Sequence, residues 1–278
     1  MEKMHQSVRE AIAAMHKRYS DPLTLNAIAA EVFVSPYHFS RVFSRSTGVT
    51  PGRYLTCVRL FAAKRLLLTT NLTVSDIVCS VGYNSVGTFT SRFTRAVGMS
   101  PTQYRDPRVA ELLVVVSHEY SCLPGADEMR RARHLKPRVP GPSHSISGVV
   151  DIPDEAGPAD VLVAVFPEAV PQGSPVAFEV LSARGRAEFT IADVPTGPHV
   201  VIAAAVPKGE HTGSGRMFTG SSRHPVRISR GLRTFVHLPL DEVQETDAPL
   251  AVTLAAPTPA MALEGKVSRS ACIRRTVT

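Results

Sequence analysis

The chain of 278 residues is long enough for about two domains, and at 44% hydrophobic and 20% charged it has a globular composition rather than a disordered or fibrous one. Its net charge of +7 is confined to one end: residues 1–106 hold 13 Lys/Arg against 6 Asp/Glu, and residues 107–278 hold 18 of each. No apolar run approaches the ~20 residues of a membrane span, and the polar, helically spaced N-terminus is unlike a signal peptide, so a cytoplasmic protein with no membrane partner is expected.

Ser7 and Glu10 have the spacing of a capping box, and Val8, Ile12, Met15 and Tyr19 trace one helical face after them. Asp21-Pro22 breaks the chain, and Thr24 opens a second helix with Leu25, Ile28, Ala29 and Val32 on its apolar side. A brief turn at Phe33-Val34 leads to Ser35-Pro36, an N-cap and first helical residue. In the helix that follows, Phe39 and Phe43 face one way while Tyr37, Ser40, Arg41 and Ser44 face the other. Two helices joined by a short turn, the second with a polar and basic outer face, form a helix-turn-helix suited to the DNA major groove. Thr50-Pro51 starts a long fourth helix reaching about Leu68, with apolar residues on more than one face, as a connector between two bundles requires. Thr73, with Asp76 at N3, caps a fifth helix stopped by Gly82; Ser85 caps a sixth ended by Gly98; Ser100-Pro101 begins a last turn holding Tyr104 and Arg105.

The stretch around Ser35 returns fifty residues later around Ser85, and the copies keep register through Phe39 and Phe89, Phe43 and Phe93, Arg45 and Arg95, Gly48 and Gly98, Pro51 and Pro101, and Tyr54 and Tyr104. Two unrelated amphipathic helices would share the Phe spacing but not the Gly, Pro and Tyr, so this is an internal repeat. The excess positive charge lies on the repeated half, as attraction to phosphate would require, although a solvated basic surface gives the same balance.

On these residues the segment 24–105 resembles the DNA-binding domain of the AraC/XylS family of bacterial transcription regulators. The resemblance is carried by Leu25, Ile28-Ala29, Ser35-Pro36, Phe39, Arg41, Phe43, Gly48, Thr50-Pro51, Tyr54, Arg59, Ala63, Leu66-Leu67, Ile77, Gly82-Tyr83, Ser85, Phe89, Phe93, Gly98, Ser100-Pro101 and Tyr104-Arg105. It implies seven helices and two helix-turn-helix units, with both recognition helices entering successive major grooves of double-stranded DNA. Position by position, it implies a first DNA-contacting set of Ser35, Pro36, Tyr37, Ser40, Arg41 and Arg45, and a second of Ser85, Val86, Gly87, Thr90, Ser91 and Arg95.

Arg41 is the strongest candidate for a base contact, because guanidinium pairs bidentately with guanine O6 and N7; a phosphate contact or a surface ion pair is its alternative. Tyr37 suits a thymine methyl or a sugar, Arg45 and Arg95 suit phosphate, and His38 suits a cap or phosphate. The second unit departs from the pattern, since many members carry Arg or Gln where this chain has Ser91, Val86 or Gly87. Arg92 points nearer the helix flank. The second helix is therefore expected to read bases weakly and to grip the backbone, with amides 86–88 as a phosphate site. RNA polymerase as a partner and a small-molecule effector both stay open. Many members carry a sugar-sensing cupin half that is missing here, so no inducer can be borrowed from them.

Asp106-Pro107 closes the first domain, residues 107–144 read as a basic, proline-rich linker, and Leu112–Val116 within it reads as a strand or a packed crossing segment. From Ile146, short runs rich in Val, Ile, Ala and Phe alternate with Pro, Gly, Ser and Asp, at 146–152, 159–166, 176–182, 186–192, 199–206, 225–229, 233–238 and 249–255. Such lengths and spacings indicate a β-sandwich over 145–256. The cadence of Arg186–Ile202 resembles the strand–turn–strand of transthyretin-like or carboxypeptidase-regulatory-like sandwiches, which speaks to fold and not to function. Gly209–Ser222, with Arg216 and Arg223, reads as a mobile loop that could alternatively hold an anion, and the tail 257–278 reads as disordered.

The fold class expected is thus α + β in separate domains: an all-α double helix-turn-helix domain, then an all-β sandwich. Catalytic chemistry is not indicated. His199, His211, His224 and His237 are dispersed, and there is no Gly-x-Ser-x-Gly elbow, Walker loop or Tyr-Arg-Gly-Ser end. Cys57, Cys79, Cys122 and Cys272 have no zinc or redox spacing and no Pro-Cys-His setting, and Cys57 and Cys79 read as small core residues. No metal or cofactor is expected. The reading is a sequence-specific DNA-binding transcription regulator; a protein-interaction scaffold with a degenerate helix-turn-helix domain and an enzyme fused to a DNA-binding module are its alternatives.

Overall fold

The computed structural model describes residues 2–135, 143–209, 216–222, 224–229 and 234–255. The tail 257–278, residues 136–142 of the expected linker, and 210–215 of the Gly/Ser-rich stretch lie outside them. The chain divides into two compact units: residues 1–105 with Gln244–Leu250, and the remainder.

The first unit is helical: α1 (Glu2–Lys17), α2 (Leu25–Glu31), α3 (Pro36–Thr47), α4 (Pro51–Thr69), α5 (Val74–Ser80), α6 (Val86–Val97) and α7 (Pro101–Tyr104). Each helix from α2 to α7 begins at a Ser or Thr whose side chain accepts a backbone N–H three residues on. This satisfies one of the donors that a helix start leaves open. α3 and α6 both end at a glycine in the left-handed region, Gly48 at φ 75° and Gly98 at φ 85°. The expected cap at Ser7 is corrected: α1 starts at Glu2, and Ser7 lies inside it. The upstream Glu, Lys, Met and Gln are good helix formers and carry the helix past the capping box.

Inside, the repeat becomes a duplicated aromatic stack. Phe39 and Phe43 lie 5.4 Å apart and Phe43 meets Tyr54 at 5.4 Å and 88°; Phe89 and Phe93 lie 5.5 Å apart and Phe93 meets Tyr104 at 5.5 Å and 87°. α4 is buried on several sides, through Tyr54, Leu55, Cys57, Val58, Leu60, Ala63 and Leu67, as a connector must be. From it the Arg59 side chain donates to the Tyr19 and Asp21 carbonyls, each at 2.7 Å, fixing the loop between α1 and α2. Arg105 likewise donates to the Thr70 and Leu72 carbonyls between α4 and α5. Lys64, also on α4, is wholly buried, and burial pulls its amine down to about 7. Cys57 is a small core residue, but Cys79 is exposed, contrary to the expectation that both face inward.

The second unit is rich in strands. The segment expected to be a linker carries structure: α8 (Pro107–Glu111), β1 (Leu113–Val116) and α9 (Ala126–Leu135). α9 has Asp127 and Glu128 at its start, Arg133 and His134 at its end, and Met129 and Ala132 buried one turn apart. Its basic composition hid it. Arg133 pairs with Glu179 at 2.9 Å.

The strands continue as β2 (Ser143–Asp151), β3 (Ala159–Phe166), β4 (Ala177–Ala183), β5 (Arg186–Pro195), β6 (Gly197–Pro207), β7 (Phe218–Ser221), β8 (Val226–Ile228), β9 (Thr234–Pro239), β10 (Asp241–Glu242) and β11 (Leu250–Thr253). One sheet runs β10-β7-β6-β3-β4 with β8 also on β6, a second runs β5-β2-β9, and β1 pairs with β11. β2 is antiparallel to β5 and parallel to β9. Ile146, Val150, Phe189, Ile191 and Leu238 of the smaller sheet share one buried core with Val161, Val163, Val201, Ala203 and Phe218 of the larger. Gly148 sits between Phe189 and Val236 in register, and a Cβ there would lie 2.1 Å from the Val236 carbonyl oxygen.

β7 corrects the loop expected over 209–222 at residues 218–221. Gly220 is what made it read as a loop, and it is required because a Cβ would lie 2.2 Å from the Pro239 oxygen. Among the described residues no helix is long and apolar enough to cross a membrane, and no cluster of His, Cys, Asp and Glu could hold a metal ion.

Candidate nucleic-acid interface

The outer faces of α3 and α6 follow from how their inner faces are anchored. With Phe39 and Phe43 fully buried, the residues between them on the helical wheel are turned outward, and the same holds around Phe89 and Phe93. The structure places every residue of the first expected set on the exposed side of α3 or at its cap: Ser35, Pro36, Tyr37, Arg41 and Arg45 are exposed and Ser40 is half-buried. The second set repeats this position by position, with Ser85, Val86, Gly87, Ser91 and Arg95 exposed and Thr90 half-buried. Two equivalent faces therefore exist, one per helix-turn-helix unit.

Their chemistry differs. On α3 the Arg41 guanidinium lies 5.9 Å from the centre of the Tyr37 ring, a cation–π arrangement that leaves its N–H edge available to a ligand. On α6 the equivalent positions are Ser91 and Gly87, which supply one hydroxyl and bare backbone. Arg92, one position beyond Ser91, is exposed as well. Tyr83 is half-buried, and burial raises its phenol above the ordinary range. Arg45 and Arg95 occupy the last turns of α3 and α6, where a cation complements the helix dipole.

Two of the expected residues have a structural duty. Ser35 Oγ accepts the His38 N–H at 3.4 Å, and Ser85 Oγ accepts the Thr88 N–H at 3.3 Å. Of the three amides 86–88 expected to hold phosphate, that of Thr88 is thus already engaged by Ser85. Sequence reasoning passed over Phe33, which is 94% exposed in the turn between α2 and α3. The signal was present in the repeat when it is counted from Thr24 and Thr73, 49 residues apart rather than fifty: in that register Phe33 falls on Gly82.

Residues 28–107 match the protein family described as "Helix-turn-helix domain". An 81-residue segment is 42% identical to the HTH-type transcriptional regulator Rv1931c of Mycobacterium tuberculosis, covering 29% of this chain and 31% of that protein. An 89-residue segment is 35% identical to the bifunctional transcriptional activator/DNA repair enzyme AdaA of Bacillus subtilis, covering 32% of this chain and 42% of that protein. Among solved structures, the C-terminal domain of AraT, a response regulator from Geobacillus stearothermophilus, is 37% identical over 36% of this chain and 83% of that one, with a TM-score of 0.35. The chain spans less than half the length of the curated relatives it matches. Residues 28–107 are an AraC-type helix-turn-helix domain.

Proposed function

We propose that this protein is a sequence-specific DNA-binding transcription regulator that seats α3 and α6 in successive major grooves of double-stranded DNA. The observation that carries the reading is the pair of equivalent exposed faces held over a duplicated core, in the half of the chain that holds all the excess positive charge. Arg41 and Tyr37 supply base contacts on α3. Arg45 and Arg95 supply phosphate contacts, and α6 grips the backbone more than it reads bases. The strand-rich half is a β-sandwich of transthyretin-like kind with a regulatory or interaction role, a reading supported by the core its two sheets share. It leaves RNA polymerase and a small-molecule effector as partners to be sought.

The small, polar face of α6 favours a second reading, in which the helix-turn-helix units have lost DNA affinity and serve protein contacts. An enzymatic role has less support: AdaA is bifunctional by name, but neither Cys57 nor Cys79 stands in a Pro-Cys-His setting. Selection of duplexes from a random pool by the full chain tests the main reading. Enrichment of a defined sequence supports regulation, and no enrichment above a non-binding control favours the scaffold.

A further inference from the structure

The turn that closes α2 holds a residue out of keeping with its position. The Phe33 N–H donates to the Ala30 carbonyl at 3.1 Å and the Val34 N–H to the Ala29 carbonyl at 3.0 Å. These paired bonds end a helix through a left-handed residue, and Phe33 accordingly stands at φ 55°. The turn closing α5 makes the same two bonds, from Gly82 to Cys79 at 3.3 Å and from Tyr83 to Val78 at 3.1 Å. There the left-handed residue is glycine, at φ 76°. Glycine adopts that conformation freely, whereas a Cβ makes it unfavourable. Phe33 gains nothing inside the protein in return, because its side chain stands almost entirely in solvent. It is unfavourable twice over in the free molecule, and a glycine would relieve both faults.

Its surroundings indicate what it meets. Phe33 precedes the N-cap Ser35 by two residues, the exposed Tyr37 by four and Arg41 by eight. A helix-turn-helix approaches DNA with the first residues of its second helix toward the base edges. The residue just before that helix then comes to the edge of the same groove. The surface there alternates anionic phosphate with apolar deoxyribose and thymine 5-methyl groups. Arg45 complements the anionic elements, and an exposed phenyl complements the apolar ones. The second unit cannot copy this, because a Cβ on Gly82 would lie 2.7 Å from the Ser20 carbonyl oxygen and 2.8 Å from that of Tyr19.

We propose that Phe33 is a DNA-contacting residue whose ring packs on a thymine 5-methyl group or a deoxyribose at the edge of the groove entered by α3. This rests on the reading of α3 as a recognition helix. The test uses the full chain, Phe33→Gly and Phe33→Leu, titrated against the duplex that the native chain selects from a random pool. Phe33→Gly keeps or raises the melting temperature and binds about 5- to 20-fold more weakly, the loss of a partly buried aromatic contact. The slope of log affinity against log salt stays at the native value, because an apolar contact releases no counterion. Phe33→Leu retains most of the affinity. Replacing thymines by uracil one at a time distinguishes the partners: a position whose change weakens the native chain but not Phe33→Gly marks a methyl contact, and no such position marks deoxyribose. Native affinity in Phe33→Gly overturns the proposal, as does a loss accompanied by a shallower salt slope. A change in the sedimentation of the free protein with DNA affinity intact assigns Phe33 to a protein contact and overturns it too. If the native chain selects no sequence, the regulator reading falls and this proposal with it; selection with equal binding by Phe33→Gly removes this proposal alone.

Discussion

In the first helix-turn-helix unit Phe39, Phe43 and Tyr54 stack at the same spacing, within 0.1 Å, as Phe89, Phe93 and Tyr104 in the second: 5.4 Å against 5.5 Å. Both units cap with serine and end in a left-handed glycine. Outside this common frame the residues diverge. Tyr37 and Arg41 of the first unit stand where the second, fifty residues on, has Gly87 and Ser91, and Phe33 takes the place in the turn closing α2 that Gly82 takes in the turn closing α5. Packing constrains the buried positions of both copies alike, and the outward positions are free of that constraint. Their differences are therefore where a division of labour between the units has to be sought.

The comparison breaks most sharply at the two turns. Gly82→Phe, which places the first unit's residue in the second, is expected to cost about 3 kcal/mol or more, since it combines an unfavourable φ with a clash against two backbone carbonyls. Thermal denaturation of the full chain measures it, and a loss below about 1 kcal/mol would show that the second turn is as open as the first.

Lys64 lies on the helix shared by both units, so its effect should not distinguish them. Its folded amine titrates near 7, while an unfolded lysine titrates near 10.4. Between those values the unfolded chain holds a proton that the folded chain lacks, so stability should rise with pH, by about 1.4 kcal/mol per unit at the steepest. Lys64→Met should remove that slope when the two denaturation curves are subtracted. A difference curve that is flat or falls with pH would contradict the buried neutral amine.

Base reading separates the units next. Arg41→Ala is expected to lose about 1–3 kcal/mol of binding and to relax preference at one base pair. Ser91→Ala should change binding by less than about 0.5 kcal/mol. Equal weakening across all sequences would make Arg41 a phosphate contact, and a large loss of preference on Ser91→Ala would mean that α6 reads bases after all.

The smallest effect lies in the two tyrosines. The Tyr54 hydroxyl donates to the Asp247 carbonyl at 3.2 Å and lies 3.3 Å from His16 Nε2. The Tyr104 hydroxyl is buried with no hydrogen-bond partner among the described residues. Tyr54→Phe should therefore cost about 1 kcal/mol, whereas Tyr104→Phe should be neutral or slightly stabilising, as urea titrations of the full chain would show. The reverse order would contradict the hydrogen bonding described.

The helical unit was legible because its signals are local and repeated. Ser35-Pro36, Thr50-Pro51 and Ser100-Pro101 each mark a helix start, and the Phe pairs mark each inner face. The exposed faces followed from those pairs, so the candidate residues on α3 and α6 could be placed before any coordinates. Phe33 was missed because an apolar residue in a turn suggests burial, and only the matching Gly82 reveals a left-handed position. Long-range constraints were not legible. Gly220 looked like loop chemistry because the Pro239 carbonyl that requires it comes from a strand far along the chain. α9 was hidden by basic residues, one of which pairs with Glu179 on β4. The Asp247 carbonyl that meets Tyr54 is separated from it by 193 residues, beyond the reach of any pattern.

The most direct measurement is the base-by-base information content of the sites that the full chain enriches from a random duplex pool. The account predicts one strongly specified segment, in which Arg41→Ala relaxes one base pair, and a weakly specified neighbour about 10 base pairs away, the spacing of adjacent major grooves. A pool that stays random, or two segments specified with equal strength, would contradict it.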